Sequence, residues 1–137
     1  MKIIFFLLLA SSFSVSAQKT EDTKIKITLS NSIDVYKKVK IALINADFIV
    51  KDNYNLDTLT TYSREFTNMA GHCVVVAIIN ENTVTLTGFY SLKRMNFIGL
   101  TQSSNDFQKV MYYKSSKSWE VLIQVAEGIG GKIDFSK

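Results

Sequence analysis

The 137-residue chain contains one histidine and one cysteine, and they are neighbours, His72 and Cys73. A thiol beside an imidazole suggests nucleophilic hydrolysis. A β-strand, however, turns successive side chains to opposite faces, so the two cannot share the hydrogen bond that would activate the thiol. Cys73 therefore reads as a buried residue at the head of a strand, and His72 as a residue at its edge. A structural zinc site needs four Cys or His ligands, and this composition does not supply them. Asp52 and Asp57 flank one predicted turn, the usual place for aspartates, and do not form a paired general acid and base. Gly128-Ile129-Gly130-Gly131 has the look of a phosphate loop but follows a helix, whereas phosphate loops lie at a helix start, where the partial charge is positive. No triad, metal set or cofactor loop can be assembled, so the expectation is a non-enzyme without a cofactor.

Hydrophobic periodicity gives the elements that would position any site. Lys24–Leu29 alternates, with Ile25, Ile27 and Leu29 on one face of a half-buried strand. Ser30, Asn31 or Ser32 can cap a following helix, with Asp34 in its first turn. Val35, Tyr36, Val39, Ala42, Leu43 and Ala46 then form one apolar stripe. A strand begins at Phe48–Lys51, is interrupted by turn residues at Asp52–Asn55, and resumes from Leu59 to Phe66. His72–Ile79 is apolar on both faces and reads as a central strand, joined through an Asn80-Glu81-Asn82 turn to Thr83–Thr87. Gly88 marks an expected bulge. Residues 91–114 read as turns around a short apolar or helical piece. Trp119, Leu122, Ile123 and Ala126 define a second helix stopped by Gly128, Gly130 and Gly131 in left-handed conformations. Ile133 and Phe135 fold back on the sheet. The expected fold is α+β: two layers, an antiparallel sheet of four to five strands and two helices on one face.

The N-terminus carries a separate message. One lysine, the apolar run Ile3–Ala10 and the small residues up to Ala17 match a secretory signal peptide cut after Ala17. The apolar run falls short of the roughly 20 residues that span a bilayer. The expectation is a signal peptide over 1–17 and one domain over 18–137, exported to the periplasm or outside the cell. Cleavage removes Lys2 and lowers the formal net charge from +4 to +3. Cys73 has no partner in the chain, so stability must come from packing.

The helix ending in Asn45-Ala46-Asp47-Phe48, the extended segments around Asp57 with Thr58, Thr60 and Thr61, and Trp119 through Gly131-Lys132-Ile133 carry a resemblance. In this order the chain resembles the helix-grip and TATA-box-binding-protein-like small domains of bacterial envelope proteins. Among them are the repeated domains of the lipoprotein that serves outer-membrane protein assembly. The resemblance implies a fold and an envelope setting, and brings no catalytic residue with it.

Two functions follow from these residues. The first, favoured, is a non-catalytic exported binding or assembly module, using the first helix or the open sheet face. On that helix Ile33, Ile41 and Ile44 lie opposite the core stripe among Lys37, Lys38 and Lys40. Ile41, Ile44, Lys37 and Lys40 are thus the expected contact with another envelope protein or a second copy. The alternative is a small-ligand carrier with a cavity between the sheet and the C-terminal helix, lined by Tyr62, Phe66, Phe89, Tyr90 and Trp119. A cavity of a few hundred cubic ångströms favours the carrier, and a filled core the module. Export and the lack of any recognised module argue against nucleic acid. The basic residues (with Lys93, Arg94, Lys114, Lys117 and Lys132) serve as solvated surface or give weak attraction to an anionic lipid, lipopolysaccharide or glycan.

Overall fold

The computed structural model describes residues 17–19, 21–51, 55–66, 71–95, 101–103, 107–112 and 116–137. Residues 1–16 of the expected signal peptide and the Asp52–Tyr54 part of the expected turn lie outside them, as do residues 96–100, 104–106 and 113–115. The described elements are β1 (Lys24–Thr28), α1 (Val35–Asn45), β2 (Thr58–Thr60), β3 (Arg64–Glu65), β4 (Gly71–Asn80), β5 (Thr83–Met95), β6 (Thr101–Ser103), β7 (Gln108–Lys109), α2 (Lys117–Ile129) and β8 (Lys132–Ser136). The fold is α+β with an antiparallel sheet in the path β2-β4-β5-β1-β8.

Among the described residues eight strands form the sheet, more than the four to five expected from the sequence. The excess arises because two lines of the sheet are broken into pieces. β2 and β3 follow one another along β4, while β1 and β7 both pair with β5, as does β6. The region after residue 90 is a second correction, since its described parts are extended. There β5 runs on to Met95, and β6 and β7 return along it.

Alternation decides what is buried. Leu59, Ala77, Leu86 and Ile25 stand in register across four strands, each completely buried, with Val84, Ile27 and Ile133 in the next row. α1 contributes Val35, Val39, Ala42 and Leu43 to this core, and α2 contributes Trp119, Leu122, Val125, Ala126 and Ile129. The helices pack on each other, α2 against β5 and β1, and α1 against β4. The intervening positions Thr60, Val76, Thr87 and Lys24 form a half-buried row on the other face.

Glycine roles differ from the expectation at two positions. The β4–β5 register is unbroken through Gly88, so no bulge exists there. A Cβ at Gly88 would instead stand 2.9 Å from Leu122 Cδ1 and 3.0 Å from Val110 Cγ2, so the glycine admits α2 to the sheet. Gly128 lies inside α2, where an added Cβ would meet Ala42 Cβ at 3.2 Å, and it serves close helix packing. Gly130 and Gly131 do take positive φ and end the helix. Asp34 precedes α1 in a left-handed conformation and offers no side-chain cap, while Asn31 Oδ1 accepts from Ile33 N–H at 3.1 Å.

Candidate functional site

β3 and β4 approach each other where Phe66 N–H donates to the Gly71 carbonyl at 3.1 Å. Opposite them, Tyr90 stands on β5 in register with Cys73, and the chain beyond β7 passes through Val110 and Met111 to the start of α2. Ser116 caps that helix, its hydroxyl oxygen accepting from Trp119 N–H at 3.3 Å. Between these pieces lies a cavity of about 380 Å³, in the range that holds small molecules. Phe66, Gly71, Tyr90, Val110 and Met111 give it apolar walls, and Ser116 and Ser118 add hydroxyls. The Tyr90 hydroxyl donates to Gln108 Oε1 at 3.1 Å, which holds the ring on the cavity side of β5.

His72, Ser91, Lys109 and Lys117 also border the cavity. The register assigns His72, Ser91 and Lys109 to the face opposite Tyr90 and Val110. The Lys117 ammonium is held by Glu120 at 2.8 Å. The cavity is therefore apolar with a hydroxyl-bearing end, suited to a small uncharged molecule with an apolar or aromatic body.

Of the five aromatic residues expected to line a cavity, the structure brings two together, Phe66 and Tyr90. Trp119 is only 3% exposed and packs against Tyr112 and Phe135, with ring centroids 5.9 and 6.0 Å away. Its indole N–H has no acceptor among the described residues. Tyr62 is 56% exposed with the Lys51 ammonium 5.1 Å above its ring, away from the cavity. Phe89 follows Lys109 in the register and falls on the other sheet face. Ser116, Ser118, Val110 and Met111 were not expected at a site. Ser116 sits in a stretch that reads as a turn and Ser118 just before the second helix, and their approach to Tyr90 depends on where β7 delivers the chain.

The contact residues expected on α1 are at the surface. Ile41 and Ile44 are 47% and 51% exposed, Lys37 is exposed and Lys40 half-buried.

Cys73 is completely buried, and His72 beside it is half-buried on the other face. Burial pushes the Cys73 thiol up to about 12, against the opposing pull of the Arg64 guanidinium. A thiol held neutral in this way is a poor nucleophile. Among the described residues no three His, Cys, Asp or Glu side chains gather at a metal-binding distance, and no helix is long and apolar enough to cross a membrane. Compared with known proteins, the chain matches no family model, no curated protein and no solved structure.

Proposed function

We propose that this is an exported, non-catalytic small-ligand binding protein whose site is the cavity between the start of α2 and the β3–β4–β5 end of the sheet. The observation that carries the reading is the cavity itself. It is an open-sided space of about 380 Å³ beside a filled core, and it joins Phe66 and Tyr90 with serine hydroxyls. A filled core alone would have favoured a protein-binding module. Export rests on the signal-like residues 1–17, and the periplasm or the extracellular space is the compartment that follows. The buried rows all share one register parity, which supports a two-layer arrangement with both helices on one face and the other face open.

The test uses the neutral, environment-sensitive dye N-phenyl-1-naphthylamine and two variants that take up the space. Wild-type protein is expected to enhance the dye's emission saturably. Ser118→Phe, which fills the cavity, and Met111→Trp, which closes its exposed side, are expected to weaken binding about tenfold or more while remaining folded by circular dichroism. Wild-type affinity in both folded variants, or no saturable signal from the wild type, would overturn the reading.

One observation favours a second reading. Ile41 and Ile44 are exposed one turn apart on α1, and a contact with a second copy or another envelope protein would bury them.

A further inference from the structure

The sheet face opposite the buried rows carries an ordered arrangement of charge. Lys109 stands across from Phe89, Lys24 from Thr87 and Lys26 from Thr85, and all six lie on one face. Same-face neighbours along a strand are about 6.7 Å apart, so the three lysines form a line beside a line of Phe89, Thr87, Thr85 and Thr83. Val76 and Ile78 continue the surface on β4, and Thr58 and Thr60 continue it on β2.

The acids near this line are engaged elsewhere. Asp134 stands across from Lys26, yet its carboxylate lies 3.5 Å from Lys132 Nζ. Glu21 is held by Lys137 at 2.7 Å, and Asp22 accepts from the Lys19 backbone N–H at 2.7 Å. Lys24, Lys26 and Lys109 have no ion-pair partner among the described residues. Edge protection does not account for Lys24 and Lys26, because β1 lies inside the sheet between β5 and β8.

We infer that this face binds an extended anionic polysaccharide, whose carboxylates or sulfates lie along Lys109, Lys24 and Lys26 and whose hydroxyls meet the threonine line. The charge pattern demands a polyanion, and the composition selects its kind. A single-stranded nucleic acid needs several aromatic platforms for its bases, and Phe89 is the one aromatic side chain in these rows. Threonine hydroxyls at a regular spacing suit a chain that presents hydroxyls at regular intervals. This inference meets the cavity only at β7, where Lys109 borders both, and it stands apart from the cavity reading.

The experiment is fluorescence anisotropy with labelled polygalacturonate and labelled heparin. Binding is expected at low salt and is expected to weaken as sodium chloride rises. Lys24→Glu with Lys26→Glu is expected to weaken it about tenfold or more, whereas Lys37→Glu with Lys38→Glu, an equal charge change on α1, stays within about twofold. Lys24→Gln with Lys26→Gln gives the same direction if the glutamates disturb folding. Equal loss in the α1 control, or no loss in the β1 variants, would contradict a site on this face. Tighter binding of oligothymidylate or of phosphatidylglycerol vesicles, with the same dependence on Lys24 and Lys26, would overturn the polysaccharide assignment.

Discussion

At the scale of single residues, burial decides the chemistry open to Cys73. Cys73 sits at zero exposure, and its thiol is raised from 9.0 to about 12 by burial. Native protein is therefore expected to resist iodoacetamide at pH 8, and denatured protein to react completely, as mass spectrometry would show. The same shift has a consequence for stability. The folded value lies above the unfolded one, so this contribution is fully present below about pH 9 and is lost as pH rises toward 12. Cys73→Ala removes that part of the alkaline destabilisation, measurable as a smaller fall in urea midpoint between pH 8 and 11. Gly131 and Gly88 carry a different constraint. Gly131 has a φ of 100°, and a Cβ there would lie 2.6 Å from the Thr28 carbonyl oxygen. Gly131→Ala is expected to cost at least about 2 kcal/mol by denaturant unfolding. Gly88→Ala, which meets movable side-chain methyls, costs about 1–3 kcal/mol. Smaller losses than these would show that the sheet and α2 shift to make room.

At the level of elements, legibility followed burial on one face. The α1 stripe from Val35 to Ala46, the alternation of β1 and the apolar run of β4 all place many side chains against one core, and the sequence periodicity carries that directly. The stretch after residue 90 was misread because Lys93, Arg94, Gln102 and Ser103 show no alternation. They are strands because the end of β5 and β6 pair with each other, Lys93 with Ser103 and Arg94 with Gln102, a pairing that local sequence does not encode. The role of Gly88 was equally hidden, since it depends on Leu122, which is remote in sequence. Of the cavity lining, Phe66 and Tyr90 are legible in the sequence. Trp119 was misplaced as lining, although its position in the α2 stripe with Leu122 and Ala126 already assigned it to the core. α1 also yields a prediction. If Ile41 and Ile44 form a contact between copies, Ile41→Asp with Ile44→Asp shifts the sedimentation coefficient toward that of the monomer without lowering the melting temperature. Unchanged sedimentation and unchanged pull-down partners would end that reading.

For the whole molecule, the filled core and the cavity divide the work. Rows such as Leu59, Ala77, Leu86 and Ile25, with α2 packed on β5 and β1 and α1 on β4, supply stability without a disulfide. The cavity lies beyond them, where the strands end and α2 begins, so occupying it does not require the core to open. The fold thus leaves a preformed space beside a filled core, the arrangement expected of a binding site. The most direct test is a two-dimensional amide NMR titration with N-phenyl-1-naphthylamine. Saturable shifts are expected at Phe66, Gly71, Tyr90, Met111 and Ser116–Ser118, with α1 and β8 unmoved. Shifts centred on Ile41 and Ile44, or spread evenly over the chain, would contradict the cavity reading.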